Sequence, residues 1–254
     1  MSRTVSCVGR LALAALALAG CARTPAMLAQ PSGRRVARAV DVADLPLTVV
    51  PAVGADARRT LLVLVSGDGG WAAGDRAVAQ ELAANGIAVV GLDARTYLRQ
   101  ARRTPDSAAR DLARIFAHYG ALWNRGRLAL LGYSRGADLA PFLVTRLPAE
   151  QRRRLALVAM VGLAEPASFQ FHWTDLVRDD ARPSDLRVRP ELERLRGMNL
   201  LCLYGRDEKG SLCPQLDPGL ATVAVHAGGH HLTARAAPDV VRQVLAALNK
   251  GGSR

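Results

Sequence analysis

Lysine, aromatic residues and metal-binding patterns are all scarce in this 254-residue sequence. Lys209 and Lys250 are the only lysines, so arginine supplies nearly all of the positive charge behind a formal net charge of +12. A basic surface favours anionic partners such as phospholipid headgroups or nucleic acid, and because no nucleic-acid motif accompanies the charge, no nucleic-acid partner is expected. The alternative is that the charge only reflects an Ala- and Arg-rich composition. No pair of His or Cys stands at helical spacing with carboxylates, so neither a metal nor a cofactor is expected.

The first 20 residues have the features of an export signal. The apolar run LALAALALAG is too short to span a bilayer and ends in Leu18-Ala19-Gly20-Cys21, which resembles a bacterial lipobox. We therefore expect residues 1–20 to be removed and Cys21 to carry a lipid; an ordinary secretory signal cut near Ala29 is the alternative. Residues 21–40 have a tether-like composition. The mature protein is predicted to be periplasmic and anchored to the inner or the outer membrane.

Two cysteines, Cys202 and Cys213, remain in the predicted mature domain. Disulfides persist in an oxidising compartment, so we expect this pair to be bonded and to close a short loop. Two buried thiols are the alternative.

Apolar runs alternate with helical patterns from about residue 41 to 250. The runs TLLVLV, IAVVGL, RLALLG, LALVAMVGL, MNLLCLYG and ATVAVHA are typical of buried strands, and LPLTVV of an edge strand. Helices are predicted near 75–84, 105–119, 137–146 and 238–248. This alternation predicts an α/β fold with a mostly parallel sheet and helices on both faces. The charged, proline-interrupted stretch 164–197 predicts a small cap insertion.

The segment LALLGYSRGADLAP places Ser134 in a Gly-x-Ser-x-Gly motif between a predicted strand and a predicted helix. Glycines on both sides permit a sharp turn that exposes the hydroxyl, which is how α/β hydrolases present a nucleophile. A plain strand-to-helix turn is the alternative. The choice depends on whether the chain also supplies an acid and a base in the right order.

The acid and the base are expected after later strands, with the acid first. The loop GRDEKG offers Asp207 and Glu208, and many α/β hydrolases place the acid three positions after the glycine that ends the strand. Counting from Gly205 favours Glu208. The loop AGGHHL offers His230 and His231, and the Gly-x-Gly-His-x-Phe endings of such enzymes favour His230. Asp207 and His231 remain the alternates.

An oxyanion hole needs two backbone N–H donors. Arg135, directly after the serine, is one candidate, and Asp68 in the glycine-rich loop SGDGGW is the other. A carboxylate beside a developing oxyanion is unfavourable unless a cation lies near, so the Asp68 side chain is predicted to bind a substrate ammonium. The alternative is that it caps the helix starting near Gly74.

The segment FQFHW concentrates three aromatic residues, Phe169, Phe171 and Trp173, in a sequence that is only 4% aromatic. They either line a lipid pocket or hold the cap to the body. Phe171, His172 and Trp71 are predicted to bind substrate together with Asp68.

Five segments together resemble the VirJ/AcvB group of bacterial periplasmic α/β hydrolases: SGDGGW, GYSRGADLAPF, FQFHW, CLYGRDEKGSLC and GGHHL. The resemblance implies a nucleophile at Ser134, an acid at Glu208 and a base at His230. It also implies hydrolysis of lysyl- or alanyl-phosphatidylglycerol, a phospholipid substrate met at a membrane surface. The alternatives are a carboxylesterase or lipase of other specificity, and a non-catalytic accessory factor of type IV secretion or virulence.

Overall fold

The structure is a computed structural model that describes residues 40–53, 59–170 and 182–250. Within these ranges one sheet contains seven strands: β1 Leu47–Val50, β2 Thr60–Val65, β3 Ala88–Leu92, β4 Arg127–Tyr133, β5 Leu155–Val161, β6 Leu200–Gly205 and β7 Thr222–His226. Their order is β1-β3-β2-β4-β5-β6-β7. Strand β1 is antiparallel to β3, as an edge strand, and the other neighbouring pairs are parallel.

The same ranges contain seven α-helices: α1 Ala73–Ala84, α2 Ala94–Gln100, α3 Pro105–Leu122, α4 Arg135–Thr145, α5 Ala149–Arg154, α6 Val188–Glu193 and α7 Ala237–Lys250. Helices α1 and α7 pack on one face of the sheet, and α2, α3, α4 and α6 pack on the other. This arrangement confirms the predicted fold class. No helix in these parts of the chain is long and apolar enough to cross a bilayer.

Strand β2 shows why the central runs are apolar without alternation. Each of its six residues is at most 1% exposed. Leu61, Val63 and Val65 face the helices on one side, while Leu62 and Leu64 face α1 and α7 on the other. Both faces are covered, so every position must be buried.

The described parts of the predicted cap, 164–170 and 182–197, lie against the body. Ala167 and Leu186 form an isolated antiparallel bridge, and α6 buries its apolar residues in the cluster that α4 also lines. The Ala164 N–H donates to Asp138 Oδ1 on α4 at 2.8 Å. The export signal, Cys21, almost all of the tether and cap residues 171–181 lie outside the described residues, so those assignments stay predictions.

Cys202 and Cys213 form the expected disulfide, with their Cα atoms 5.4 Å apart. Cys202 lies within β6, and Cys213 begins a short 3-10 helix, Cys213–Gln215. Both residues are fully buried. The bond therefore closes the loop that carries both candidate acids, Asp207 and Glu208.

Candidate active site

Ser134 occupies a sharp turn between β4 and α4. Its φ of 50° and ψ of −118° lie in a region that non-glycine residues rarely adopt. The neighbouring glycines are required by close packing, since a Cβ on Gly132 would lie 2.2 Å from the Gly136 carbonyl oxygen and one on Gly136 would lie 2.1 Å from that of Val65. The Ser134 N–H donates to the Val161 carbonyl at 2.8 Å, which ties the turn to β5.

A chain of hydrogen bonds connects Ser134, His230 and Glu208. Ser134 Oγ lies 2.9 Å from His230 Nε2, and His230 Nδ1 lies 2.6 Å from Glu208 Oε1. Gly162, which follows β5, passes so close beneath the pair that a Cβ there would lie 3.0 Å from His230 Cε1 and 3.4 Å from Glu208 Oε1. A hydroxyl, an imidazole and a carboxylate in this order are the arrangement that activates a serine nucleophile.

The turn after β6 decides which carboxylate reaches the histidine. The Glu208 N–H donates to the Gly205 carbonyl at 2.9 Å, and Glu208 Oε2 accepts from the Gly205 N–H at 2.9 Å. Burial of the Glu208 carboxyl alone would raise its pKa, but the hydrogen bonds from His230 and Gly205 outweigh burial and hold the pKa below its usual value. Asp207 is exposed, and its N–H donates to the Gly228 carbonyl at 3.0 Å, in the loop that carries His230.

Of the two adjacent histidines, the structure places His230 against Ser134 and leaves His231 exposed. The centroid of the His231 ring lies 6.1 Å from that of His230. The preferred residues of the predicted triad are thus brought together, and the alternates Asp207 and His231 are not. Their catalytic roles stay predictions.

The loop that follows β2 passes beside Ser134. A Cβ placed on Gly67 would lie 3.1 Å from Ser134 Cβ, and the Gly70 N–H donates to the Gly67 carbonyl at 3.0 Å to form a tight turn. Asp68 sits within this turn. The assignment of the Asp68 and Arg135 N–H groups to an oxyanion hole fits this placement and stays a prediction.

The Asp68 side chain pairs with the side chain of Arg135. Arg135 Nε lies 3.1 and 3.2 Å from the two carboxylate oxygens, and Arg135 Nη2 lies 3.1 Å from Oδ2. The protein itself therefore supplies the cation that we expected from a substrate. The helix-cap alternative is wrong, because Asp75 performs that role: the Ala72 N–H donates to Asp75 Oδ2 at 3.0 Å at the start of α1.

A family model for the bacterial virulence protein VirJ matches residues 59–251. The chain belongs to the VirJ family. No curated protein shows significant sequence similarity to it.

Solved structures similar to this VirJ-family protein share its fold at low sequence identity. A membrane phospholipase A described as a bacterial virulence factor has a TM-score of 0.55 and 18% identity over 84% of this chain and 88% of its own. Est1E from Butyrivibrio proteoclasticus has a TM-score of 0.55 and 13% identity over 80% and 93% of the two chains. MenH from S. aureus has a TM-score of 0.58 and 12% identity over 82% and 99%. These likenesses show the α/β-hydrolase fold.

Tyr133 of this VirJ-family protein is a site residue that the motif did not reveal. Its hydroxyl donates to the His230 carbonyl at 3.2 Å and accepts from the Leu232 N–H at 2.9 Å. Burial raises the pKa of Tyr133, so the hydroxyl stays protonated as a donor. The residue before Ser134 thereby holds the loop that carries His230. Its only sequence signal is a tyrosine directly before Ser134.

The remaining predicted substrate-binding residues have different outcomes. Trp71 is half-buried and packs against the apolar cluster beneath α1 and α7, and its substrate role stays a prediction. Phe169 is buried against Phe142 of α4, with ring centroids 5.5 Å apart, so it holds the first residues of the cap to the body. Phe171 and His172 lie outside the described residues. Among the described residues, no three His, Cys, Asp or Glu side chains are grouped to hold a metal ion.

Proposed function

We propose that this VirJ-family protein is a serine hydrolase that cleaves the aminoacyl ester of lysyl- or alanyl-phosphatidylglycerol. The observation that carries the proposal is the hydrogen-bonded series Ser134, His230 and Glu208 at a strained strand-to-helix turn. A carboxylate, an imidazole and a hydroxyl in this geometry support acyl transfer from an ester.

The proposed reaction has two halves. His230 Nε2 takes the proton of Ser134 Oγ as that oxygen attacks the ester carbonyl, and it returns the proton to the departing glycerol oxygen. Water then attacks the aminoacyl-serine by the same route and releases the free amino acid. Glu208 stabilises the imidazolium formed in each half, and the N–H groups of Asp68 and Arg135 hold the oxyanion.

Three features support a phospholipid substrate. The five segments quoted above resemble family members that act on aminoacyl-phosphatidylglycerol. A net charge of +12 favours residence at anionic bilayers. The lipobox-like sequence at Cys21 supports, as part of this proposal, a periplasmic protein held at a membrane by its lipid.

A second candidate is a carboxylesterase or lipase of other specificity. It is favoured by the Asp68–Arg135 ion pair, which leaves the oxyanion-loop carboxylate already neutralised. A site of that kind has less reason to prefer a substrate that carries an ammonium group.

The test uses the purified protein with vesicles that contain lysyl- or alanyl-phosphatidylglycerol, and it measures the free amino acid released. We expect release by the wild type and a loss of several orders of magnitude in Ser134→Ala. His231→Ala is the matched control and should retain activity. Labelling of Ser134 by a fluorophosphonate, together with hydrolysis of a neutral nitrophenyl ester but not of the aminoacyl lipids, would favour the second candidate. No labelling and no hydrolysis would favour the non-catalytic accessory protein.

A further inference from the structure

The loop that follows β2 is attached on two sides. On the β3 side, the Ser66 N–H donates to the Leu92 carbonyl at 3.1 Å and Ser66 Oγ accepts from the Ala94 N–H at 3.0 Å. On the side of the nucleophile, Asp68 is held by Arg135, the first residue of α4. Neighbouring parallel strands make this contact possible, because Val65 at the end of β2 pairs in register with Gly132 of β4.

The Asp68–Arg135 ion pair has several contacts that fix its geometry. Three nitrogen–oxygen distances of 3.1 to 3.2 Å join the guanidinium to both carboxylate oxygens. The Arg135 side chain is only 4% exposed and that of Asp68 is 21% exposed. A planar, bidentate contact of this kind fixes orientation as well as distance.

We propose that the Arg135 side chain is a positioning residue for the oxyanion hole, acting through Asp68. The two residues whose N–H groups are assigned to the hole are also joined by their side chains, so the ion pair sets the separation of the two donors. The inference rests on the proposed role of Ser134 as nucleophile, and it adds a function for two side chains that the triad does not use.

The pair also removes an unfavourable charge. The tetrahedral intermediate carries a negative oxygen beside the Asp68 N–H, and an unpaired carboxylate on the same residue would oppose it. At an effective protein dielectric of about 20, a like charge about 6 Å from the oxygen slows such a step on the order of a hundredfold. With Arg135 in place, the local net charge of the two side chains is zero.

Arg135→Met tests the proposal, because it keeps the backbone N–H and a long apolar side chain but removes the guanidinium. Wild type, Arg135→Met, Asp68→Asn and the double variant are compared on a neutral nitrophenyl ester. We expect kcat of Arg135→Met to fall about 10- to 100-fold with little change in KM. The double variant should recover the part of that loss that comes from the unpaired carboxylate, and it should keep the part that comes from the lost ion pair.

A second measurement separates positioning from structural damage. A trifluoromethyl ketone forms a tetrahedral adduct with an oxyanion, whereas the matching alcohol does not. The affinity of Arg135→Met for the ketone should fall in parallel with kcat, and its affinity for the alcohol should not. Arg146→Met is the matched control, since it breaks a part-buried ion pair with Glu191, of 3.1 Å, next to the other end of α4.

The control should lose stability and keep its kcat. If Arg135→Met loses no more kcat than Arg146→Met, or if the double variant regains the kcat of wild type, the inference is overturned. Should Arg135→Met fail to fold, Asp68→Asn still decides, because it removes the carboxylate of the same ion pair. Equal ketone binding in wild type and Asp68→Asn would refute positioning. A wild type that neither hydrolyses esters nor reacts with a fluorophosphonate would overturn the proposed function, and with it the inference. A reactive wild type with equally reactive variants would overturn the inference alone.

Discussion

Glu208→Gln changes one side chain that accepts hydrogen bonds from two donors. One carboxylate oxygen faces His230 Nδ1 at 2.6 Å, and the other accepts from the Gly205 N–H at 2.9 Å. Glutamine has only one oxygen, so it cannot satisfy both donors. If its NH₂ group faces the Gly205 N–H, two donors oppose each other. If the NH₂ group faces His230 instead, Nδ1 must act as an acceptor and the imidazole proton moves to Nε2. Nε2 can then no longer accept the proton of Ser134.

Both outcomes also remove the negative charge that stabilises the imidazolium. Replacing the triad carboxylate by its amide in a serine protease lowers kcat about 10⁴-fold, which corresponds to about 5.5 kcal/mol of barrier. Glu208 has a 3% exposed side chain, so water cannot easily replace the lost acceptor. We therefore expect kcat to fall about 10³- to 10⁴-fold in Glu208→Gln.

Asp207→Asn is the matched control, because it makes the same chemical change one residue away on an exposed side chain. Both variants are assayed on a neutral ester, with the free energy of unfolding measured in urea. Asp207→Asn should keep kcat within a few-fold of wild type. A larger loss in Asp207→Asn than in Glu208→Gln would refute the assignment of the acid.

A pH series gives an independent check on Glu208. Its pKa is lowered in the folded protein, so its ionised form stabilises the fold above the ordinary glutamate pKa of about 4.3, and this stabilisation is lost as the pH falls through the lower folded value. The stability difference between wild type and Glu208→Gln should shrink over that acidic window. A difference that stays constant down to pH 2 would contradict the lowered pKa.

Three further outcomes are expected. Tyr133→Phe loses both hydrogen bonds to the histidine loop, so kcat on a neutral ester should fall about tenfold with KM unchanged; an unchanged kcat would show that the hydroxyl does not position His230. Reduction of Cys202–Cys213 should lower the free energy of unfolding by about 3 kcal/mol and lower kcat as well; equal kcat before and after reduction would show that the acid loop does not need the bond. Burial raises the pKa of Asp75 to about 6 although the Ala72 N–H opposes the shift, so the ionised carboxylate destabilises the fold increasingly as the pH rises from 3.8 to 6. Asp75→Asn should thus be about 2 to 3 kcal/mol more stable than wild type at pH 8 and equal to it below pH 4 in urea denaturation; lower stability at both pH values would contradict this.

The sequence predicts the triad because each member follows the end of an apolar run that indicates a strand. Ser134 lies between two glycines, and His230 follows two more. The choice of Glu208 over Asp207 depends on a turn of three residues after Gly205, which is a local property. Local signals of this kind are readable without knowledge of tertiary structure.

Contacts between distant segments are not readable in that way. Asp68 and Arg135 are 67 positions apart, and they meet only because β2 and β4 are neighbours. The order of strands in the sheet is not readable from the sequence, so the sequence alone predicts an external cation for the side chain of Asp68. The hydroxyl of Tyr133 likewise reaches residues 97 and 99 positions further along the chain.

Three short helices are not predicted from the sequence, for a different reason. Helix α2 has seven residues, and α5 and α6 have six each. A helical pattern needs about three turns before its apolar period stands out from chance. Helix α5, with the sequence AEQRRR, buries no residue at all and therefore has no apolar face to detect.

Gly162 has a consequence for how tolerant this protein is of substitution. Gly162 supplies no side chain to the site, yet its φ of 68° is strained for any other residue, and a Cβ there would lie only 3.0 Å from His230 Cε1. In a saturation screen scored by activity, replacements at this position should appear damaging, as changes of His230 should. Other positions that tolerate no substitution in such a screen therefore need a test with a chemical probe of Ser134 before a catalytic role is assigned to them. We therefore expect Gly162, which lies beneath His230 and Glu208, to vary as little among relatives as those two residues do.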